Sequence, residues 1–233
     1  ENQDYGLERH FISYADEKDG VGIYGSIAYM QFTGGTIPNE EALNQQILNA
    51  TANDLFAYLD GKKTYDVMGS LHFFVDSFVV YNDAEKVSIL LDINVVGDES
   101  TYADSYVYAI NIATKSGVIL DNSEFISVDE AFAAEFRERC CTQNGTDIPG
   151  LNSITDEELA KLLGDEKTNI VFFSPYGLEF GYNYEMGSPE GYSRGWMTIT
   201  MKDWADYTES LGEIISIPEE ESGMSQMGGT TDL

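Results

Sequence analysis

The segment Val87 to Val95 constrains the fold most, because its apolar side chains fall on every second residue. Its polar members, Ser88, Asp92 and Asn94, lie between most of them, and Leu90 occupies the remaining intervening position. This alternation is typical of an antiparallel strand with one face in an apolar core and the other in water. Such a strand needs neighbouring strands and a covering apolar layer, so the sequence predicts a layered domain that contains a β-sheet.

Other segments share the strand pattern. We predict further strands where β-branched and aromatic residues cluster between turn residues: 10–14, 22–32, 73–81, 106–112, 169–173, 177–184 and 196–201. Turns are predicted at Ala15–Gly20, Asn82–Glu85, Thr114–Gly117 and Ser174–Gly177.

Three segments have the period of a helix. The first spans 39–60, with Asn39 as its cap and Gly61 at its end. The second carries Phe132, Phe136 and Cys140 on one face, and the third starts at a capping box, Thr155 to Glu158. We therefore predict an α+β fold: antiparallel sheet meanders, each covered by helices, in two interlocked subdomains.

The charge of the chain limits its partners. Its 233 residues include 12 Lys and Arg against 41 Asp and Glu, a net charge of −29. A field of this sign repels nucleic acid and anionic lipid, and it attracts cationic partners or divalent cations. The other interpretation is that acidity only keeps an exposed extracellular domain soluble, and charge alone leaves both open.

The sequence contains no run close to the roughly 20 apolar residues that cross a bilayer. It carries no signal-peptide pattern and does not begin with Met. We expect a protein outside the cytoplasm, either secreted or a surface lipoprotein, whose export signal or anchor lies outside this sequence.

The two cysteines, Cys140 and Cys141, are adjacent in sequence. A helical backbone does not permit a disulfide between neighbours. Cys140 shares its helix face with Phe132 and Phe136, and no other Cys or His lies near in sequence. We predict a buried free thiol with no metal or redox role.

Gly191-Tyr-Ser-Arg-Gly195 matches the letters of a hydrolase nucleophile motif. That motif needs a strand before the serine, a helix after it, and a histidine later in the chain. Here a strand follows Ser193, and both histidines, His10 and His72, precede it. His72 borders an apolar strand and is predicted to be a packed or edge residue. We predict no enzyme activity and no cofactor.

Acidic loops are the only metal candidates. Asp98, Glu99 and Asp104 could meet one cation, as could Asp121 and Glu124, but neither group has the spacing of a calcium loop. We predict no metal and interpret these residues as solvated loop charges, with structural calcium as the alternative.

Aromatic residues are the remaining binding candidates. Leu178, Phe180, Tyr182 and Tyr184 share one strand face, a pattern that more often marks a core. Exposed aromatic rings, however, stack on sugars or anchor protein partners. If some of these rings are exposed, the partner-binding candidates are Tyr182, Tyr184, Tyr192 and Trp196.

Three stretches, in this order, carry a resemblance to a known family. The first is Ile37-Pro-Asn-Glu-Glu-Ala-Leu-Asn-Gln-Gln-Ile47, a proline followed by a helix bearing Asn-x-x-Ile. The second joins Val87-Ser-Ile89 to a turn at 114–117 and an acidic step at 120–125. The third is Pro175–Tyr184, followed by 191–195. Together they resemble, over residues 20–210, the paired domains of unknown function in RsiV-type anti-sigma factor ectodomains and in PdaC-type peptidoglycan deacetylases. One departure is Val96–Asp104, which has no His where those domains carry a Gly-Gly-Ala-His-like loop.

The resemblance implies a PdaC-accessory-like subdomain at 1–120 and an RsiV-like C-terminal subdomain at 121–212, without the catalytic deacetylase domain. The composition of 213–233 predicts a disordered tail. The implied function is non-catalytic recognition on a bacterial envelope protein. RsiV-type ectodomains imply a basic wall hydrolase such as lysozyme as the partner, and PdaC-type proteins imply peptidoglycan or another carbohydrate.

Overall fold

The computed structural model describes residues 4–98, 104–121, 128–145, 149–188 and 191–201. The chain divides into two compact units, Glu1–Ile119 and Leu120–Leu233. The predicted tail at 213–233 lies outside the described residues.

The first unit is built around one sheet of six strands with the order β1-β2-β3-β4-β5-β6. Two helices separate the second strand from the third. The elements are β1 (Gly6–Lys18), β2 (Val21–Thr33), α1 (Glu40–Thr51), α2 (Asn53–Leu59), β3 (Ser70–Asn82), β4 (Lys86–Gly97), β5 (Asp104–Ala113) and β6 (Val118–Leu120).

One strand pair departs from the predicted antiparallel meander. The pairs β1–β2, β3–β4 and β4–β5 are antiparallel, but β2 and β3 are parallel, with Gly22 opposite Ser70 and Ile27 opposite Val75. The prediction of a purely antiparallel sheet is wrong here, because α1 and α2 carry the chain back to the end at which β2 began. The alternation predicted for 87–95 is present in β4, whose odd-numbered residues are buried, but the face predicted to be in water is closed at Ser88, which is also fully buried.

The hairpin between β1 and β2 turns on two residues. Lys18 pairs with Val21, and Asp19 and Gly20 have positive φ angles of 54° and 82°. Two consecutive residues with positive φ make a type I′ turn, whose twist matches that of the flanking strands. The turn predicted over 15–20 is therefore shorter, and both strands are longer than predicted.

The helix predicted over 39–60 is two helices that break at Ala52. Asn39 holds the predicted N-cap position, but it adopts the left-handed conformation and its side chain makes no cap hydrogen bond. Both helices contribute to a core on one side of the sheet. Its fully buried members include Ile23, Ile27, Leu43, Ile47, Leu55, Leu71, Phe73, Ile89 and Leu91.

The second unit combines a three-stranded antiparallel sheet with helices. Its elements are α3 (Glu130–Asn144), α4 (Pro149–Asn152), α5 (Asp156–Gly164), β7 (Asn169–Ser174), β8 (Gly177–Ser188) and β9 (Gly191–Met201). Phe136 of α3 packs edge-on against Phe180 and Tyr182 of β8. The capping box predicted at Thr155 and Glu158 is present in full.

The two units together confirm the predicted α+β class. Within the described ranges, no helix has the length and apolar character needed to cross a bilayer.

Candidate functional site

The four predicted partner-binding aromatics have different environments. Tyr182 is fully buried, and its hydroxyl donates to the carbonyl oxygen of Gly150 at 3.0 Å. It points into the core because it shares with Phe180 the side of the sheet that α3 covers, so its predicted exposure is wrong. Tyr184 is half-buried, and the side chain of Tyr192 lies outside the described part. Trp196 is 47% exposed and is the one confirmed surface candidate among those described.

Cys140 is buried, as predicted, and both cysteines are free thiols. Its Sγ lies 3.5 Å from Sδ of Met197. Burial raises the pKa of the Cys140 thiol, which keeps it protonated and unreactive.

The acidic candidates do not form a group in the part of the chain that is described. Asp98 accepts a hydrogen bond from the hydroxyl of Ser70, and Asp104 begins β5 opposite Val95. Glu99 and Glu124 lie outside the described residues. Across the described ranges, no three Asp, Glu, His or Cys side chains converge in a way that would hold a metal ion.

Three polar side chains meet at the start of β3: Ser70, His72 and Asp98. Sequence spacing did not reveal this grouping. Nε2 of His72 lies 3.1 Å from the Ser70 hydroxyl and 3.6 Å from a carboxylate oxygen of Asp98. In a hydrolase triad the two imidazole nitrogens face different partners, the serine and the acid. Here one nitrogen faces both, and the Ser70 hydroxyl already donates to Asp98. This geometry orients His72 and does not match that of a hydrolase triad.

The open face is the side of β1–β4 that points away from the buried core. Register places Phe11 opposite Ala28, Tyr24 opposite His72, and Ser26 opposite Phe74. Four large rings on this face are exposed to solvent by nearly half or more: Phe11 68%, Tyr24 45%, Phe74 46% and Phe78 45%.

The rings of Tyr24, His72 and Phe74 form a ladder across two strands. Tyr24 and His72 stack at 5.0 Å with an interplanar angle of 18°, and His72 and Phe74 lie 5.9 Å apart at 5°. The ladder is thus a row of nearly parallel rings stacked on one another, with the exposed rings of Tyr24 and Phe74 at its two ends.

Charged groups lie on the open face beside the exposed rings. The guanidinium of Arg9 lies 5.2 Å from the ring centre of Phe11 and pairs with Asp76. Asp76 stands directly opposite Asp92 in the β3–β4 pair. Arg9, Phe11, Phe74, Asp76 and Asp92 line an open depression of about 230 Å³. The open face therefore joins exposed rings to carboxylates around one concave spot.

The open face was missed because the predicted strand at 73–81 was assigned by its buried residues, Phe73 and Val75. A signal was nevertheless present in the sequence. Phe74 and Phe78 occupy the positions that polar residues would fill in a half-buried strand. Aromatic residues on both faces of one strand indicate either burial on both sides or a binding surface.

The fold has relatives among solved structures, although no family model and no curated protein matches the chain. A member of the DUF3298 family from Bacteroides fragilis superposes with a TM-score of 0.58 at 12% identity, covering 92% of this chain and 100% of that one. A DUF3298 family protein from Pseudomonas aeruginosa gives 0.52 at 14% identity, covering 84% and 90%. At such low identity these matches establish a shared α+β fold.

Proposed function

We propose that this chain is a non-catalytic recognition domain of a bacterial envelope protein, that it acts outside the cytoplasm, and that it binds a strongly basic protein such as a lysozyme. The observation that carries the proposal is the open face, where exposed rings lie beside carboxylates on a chain of net charge −29. Contiguous exposed aromatic surface of this kind is typical of protein interaction sites.

The fold supports the same class of function. The DUF3298-like architecture agrees with the resemblance to RsiV-type ectodomains and PdaC-type accessory regions, which was based on sequence stretches alone. The Asn-x-x-Ile pattern of the first stretch, Asn44 and Ile47, also has a structural role. Asn44 bonds the backbone of Phe32, and Ile47 is fully buried in the core.

Electrostatics favours a basic partner. Opposite charges of this size steer two proteins together and raise the association rate. Exposed ion pairs contribute only about 0–1 kcal/mol each, and salt screens them over about 8 Å at physiological ionic strength. Affinity must therefore come from rings that lose water on contact, and the open face provides them.

A non-catalytic role agrees with the residues that could do chemistry. Ser70, His72 and Asp98 lack the relay geometry of a triad, and the Cys140 thiol is buried. The test is a fluorophosphonate probe: we expect no labelled serine, and labelling lost on Ser70→Ala or Ser193→Ala would identify an enzyme.

Carbohydrate binding is the second candidate, because the half-exposed rings of Tyr24 and Phe74, at the two ends of the ladder, provide aromatic surface on which a sugar ring stacks. The affinity for a neutral glycan would not depend on the net charge of the protein. Glycan binding would therefore resist salt.

Calorimetry distinguishes the two partners. We expect the protein to bind lysozyme more tightly than cytochrome c, a second basic protein, at about 0.05 M salt, and to retain part of this affinity at about 0.5 M. Equal affinity for both proteins that vanishes at high salt would mean nonspecific charge adhesion. Salt-resistant binding of a neutral muropeptide, without lysozyme binding, would favour the carbohydrate function.

A further inference from the structure

We infer that the open face binds an arginine side chain of the basic partner, held between the ring of Phe74 and the carboxylates of Asp76 and Asp92. The inference rests on the proposed function and specifies which part of a basic protein the domain recognises. Three observations lead to it, all within the first unit.

The first observation is that the face already holds a guanidinium. Arg9 lies over the ring of Phe11 and pairs with Asp76. A planar guanidinium stacks on an aromatic ring and bonds a carboxylate at the same time, which a compact ammonium group does less well. This part of the sheet therefore has the chemistry that an arginine of the partner would use.

The second observation is a like-charge pair. Asp76 and Asp92 are directly opposite on adjacent antiparallel strands, an arrangement that destabilises a sheet. Arg9 pairs with Asp76, whereas Asp92 accepts a bond from the neutral amide of Asn94 at 3.1 Å. Among the described residues, no cationic side chain pairs with Asp92. A second guanidinium at Asp92 would relieve the repulsion, and the local stability given up by this pair is of the kind that proteins keep at functional sites.

The third observation is the position of Phe74. It lies diagonally across the strand pair from Asp92, since its direct partner is Asn94. Phe74 is 46% exposed and lines the same depression as Asp92. The pair Phe74 and Asp92 thus provides, within the same depression, a second ring and carboxylate like those that hold Arg9. A side chain entering from solvent reaches both, because the depression is open.

A charge-matched pair of variants tests this inference on the full chain. Asp92→Asn removes a carboxylate from the open face, and Asp66→Asn removes one from an exposed loop position outside it. The two variants have the same net charge, so they steer a basic protein equally. We expect Asp92→Asn and Phe74→Ala each to weaken lysozyme binding roughly tenfold, as loss of an anchoring contact does, and Asp66→Asn to change it less than about twofold.

Short peptides test the preference for arginine. We expect hexa-arginine to bind more tightly than hexa-lysine to the unaltered protein, and Phe74→Ala to remove the difference. Circular dichroism must show that each variant stays folded. Phe74→Leu serves as a second variant if Phe74→Ala unfolds, because leucine keeps apolar volume without a ring.

The outcomes separate the inference from the proposed function. If lysozyme binds specifically but Asp92→Asn behaves like Asp66→Asn, the inference is wrong and the function stands. Equal binding of the two peptides would also overturn it. If no basic protein or peptide binds the unaltered chain, both fail. If Phe74→Ala abolishes binding of a neutral muropeptide instead, the open face is a carbohydrate site.

Discussion

Asp54 shows how one buried charge organises its surroundings. Its carboxylate is nearly buried on α2 and pairs with Lys63. The hydroxyl of Tyr65 donates to it at 3.3 Å, and the Lys63 ammonium lies 5.8 Å from the ring centre of Tyr106. Burial raises the pKa of Tyr65, and the Asp54 carboxylate raises it further, so the phenol stays protonated and remains a donor. Removing the cation would leave this carboxylate buried and uncompensated.

We predict that Lys63→Met lowers the free energy of unfolding by about 3 kcal/mol, the low end of the range for a broken buried ion pair, because Lys63 itself is partly exposed. The matched control is Lys62→Met, whose pair with Asp60 is exposed on both sides and should matter little. Urea denaturation measures both variants. Equal small losses for the two lysines would show that the Asp54 pair contributes nothing.

One side-chain amide ties α1 to the backbone of β2, in addition to the apolar contacts of the core. Beyond Ile27, β2 has no register partner in β3, and the side chain of Asn44 bonds the backbone of Phe32 instead. Its Oδ1 accepts from the amide nitrogen at 2.7 Å, and its Nδ2 donates to the carbonyl oxygen at 2.9 Å. The side chain thus takes the place of a neighbouring strand's peptide group.

We predict that Asn44→Leu destabilises the protein by about 2 kcal/mol, since two hydrogen bonds of about 1 kcal/mol each are lost. Asn49→Leu is the control on the same helix: Asn49 is exposed and accepts one bond from Gln45. Thermal unfolding of both variants gives the comparison. A loss at Asn44 no greater than that at Asn49 would contradict the role given to the amide.

Local patterns predicted the individual elements well. Alternation identified β4, and the capping box identified the start of α5, because both signals depend on residues close in sequence. Partner choice did not follow from such signals. The parallel pairing of β2 with β3 and the meeting of Ser70, His72 and Asp98 depend on contacts between distant segments, which spacing along the chain does not encode.

The candidate site was predicted less well than the fold, and for a related reason. The aromatic stripe of β8 was identified correctly as one face, yet the sequence could not decide whether α3 covers it. The structure buries Tyr182 and leaves Phe74 and Phe78 exposed on another sheet. An aromatic side chain suits a core and a binding surface equally, so only the packing of the rest of the chain separates the two.

Phenols that are partly or fully buried occur in both units and make the folded protein sensitive to alkali. Burial, followed by the charge of Asp83, raises the pKa of Tyr5 to about 12. Burial is also the main cause of the raised pKa values of Tyr65, Tyr81 and Tyr182. These phenols ionise near pH 10 in the unfolded chain and only at higher pH in the folded protein. As the pH rises, the unfolded chain therefore loses these protons first. A phenol whose pKa is raised by folding contributes its full stabilisation below the pKa that it has in the unfolded chain. The contribution of these groups to the free energy of unfolding is therefore constant up to about pH 10. It falls as the pH rises through their folded-state pKa values, which is about 12 for Tyr5.

We therefore predict that phenolate absorbance near 295 nm lags in the native protein. Of the 15 tyrosines, these four should ionise only at higher pH or when the chain unfolds. The control is the same titration in about 6 M guanidinium chloride, where every phenol should ionise near pH 10. Tyr182→Phe should reduce the lagging absorbance by about one phenol, and its lost bond to Gly150 should cost about 1 kcal/mol of stability. Superimposable native and denatured curves would contradict this, because they would mean that these four hydroxyls are in free contact with water.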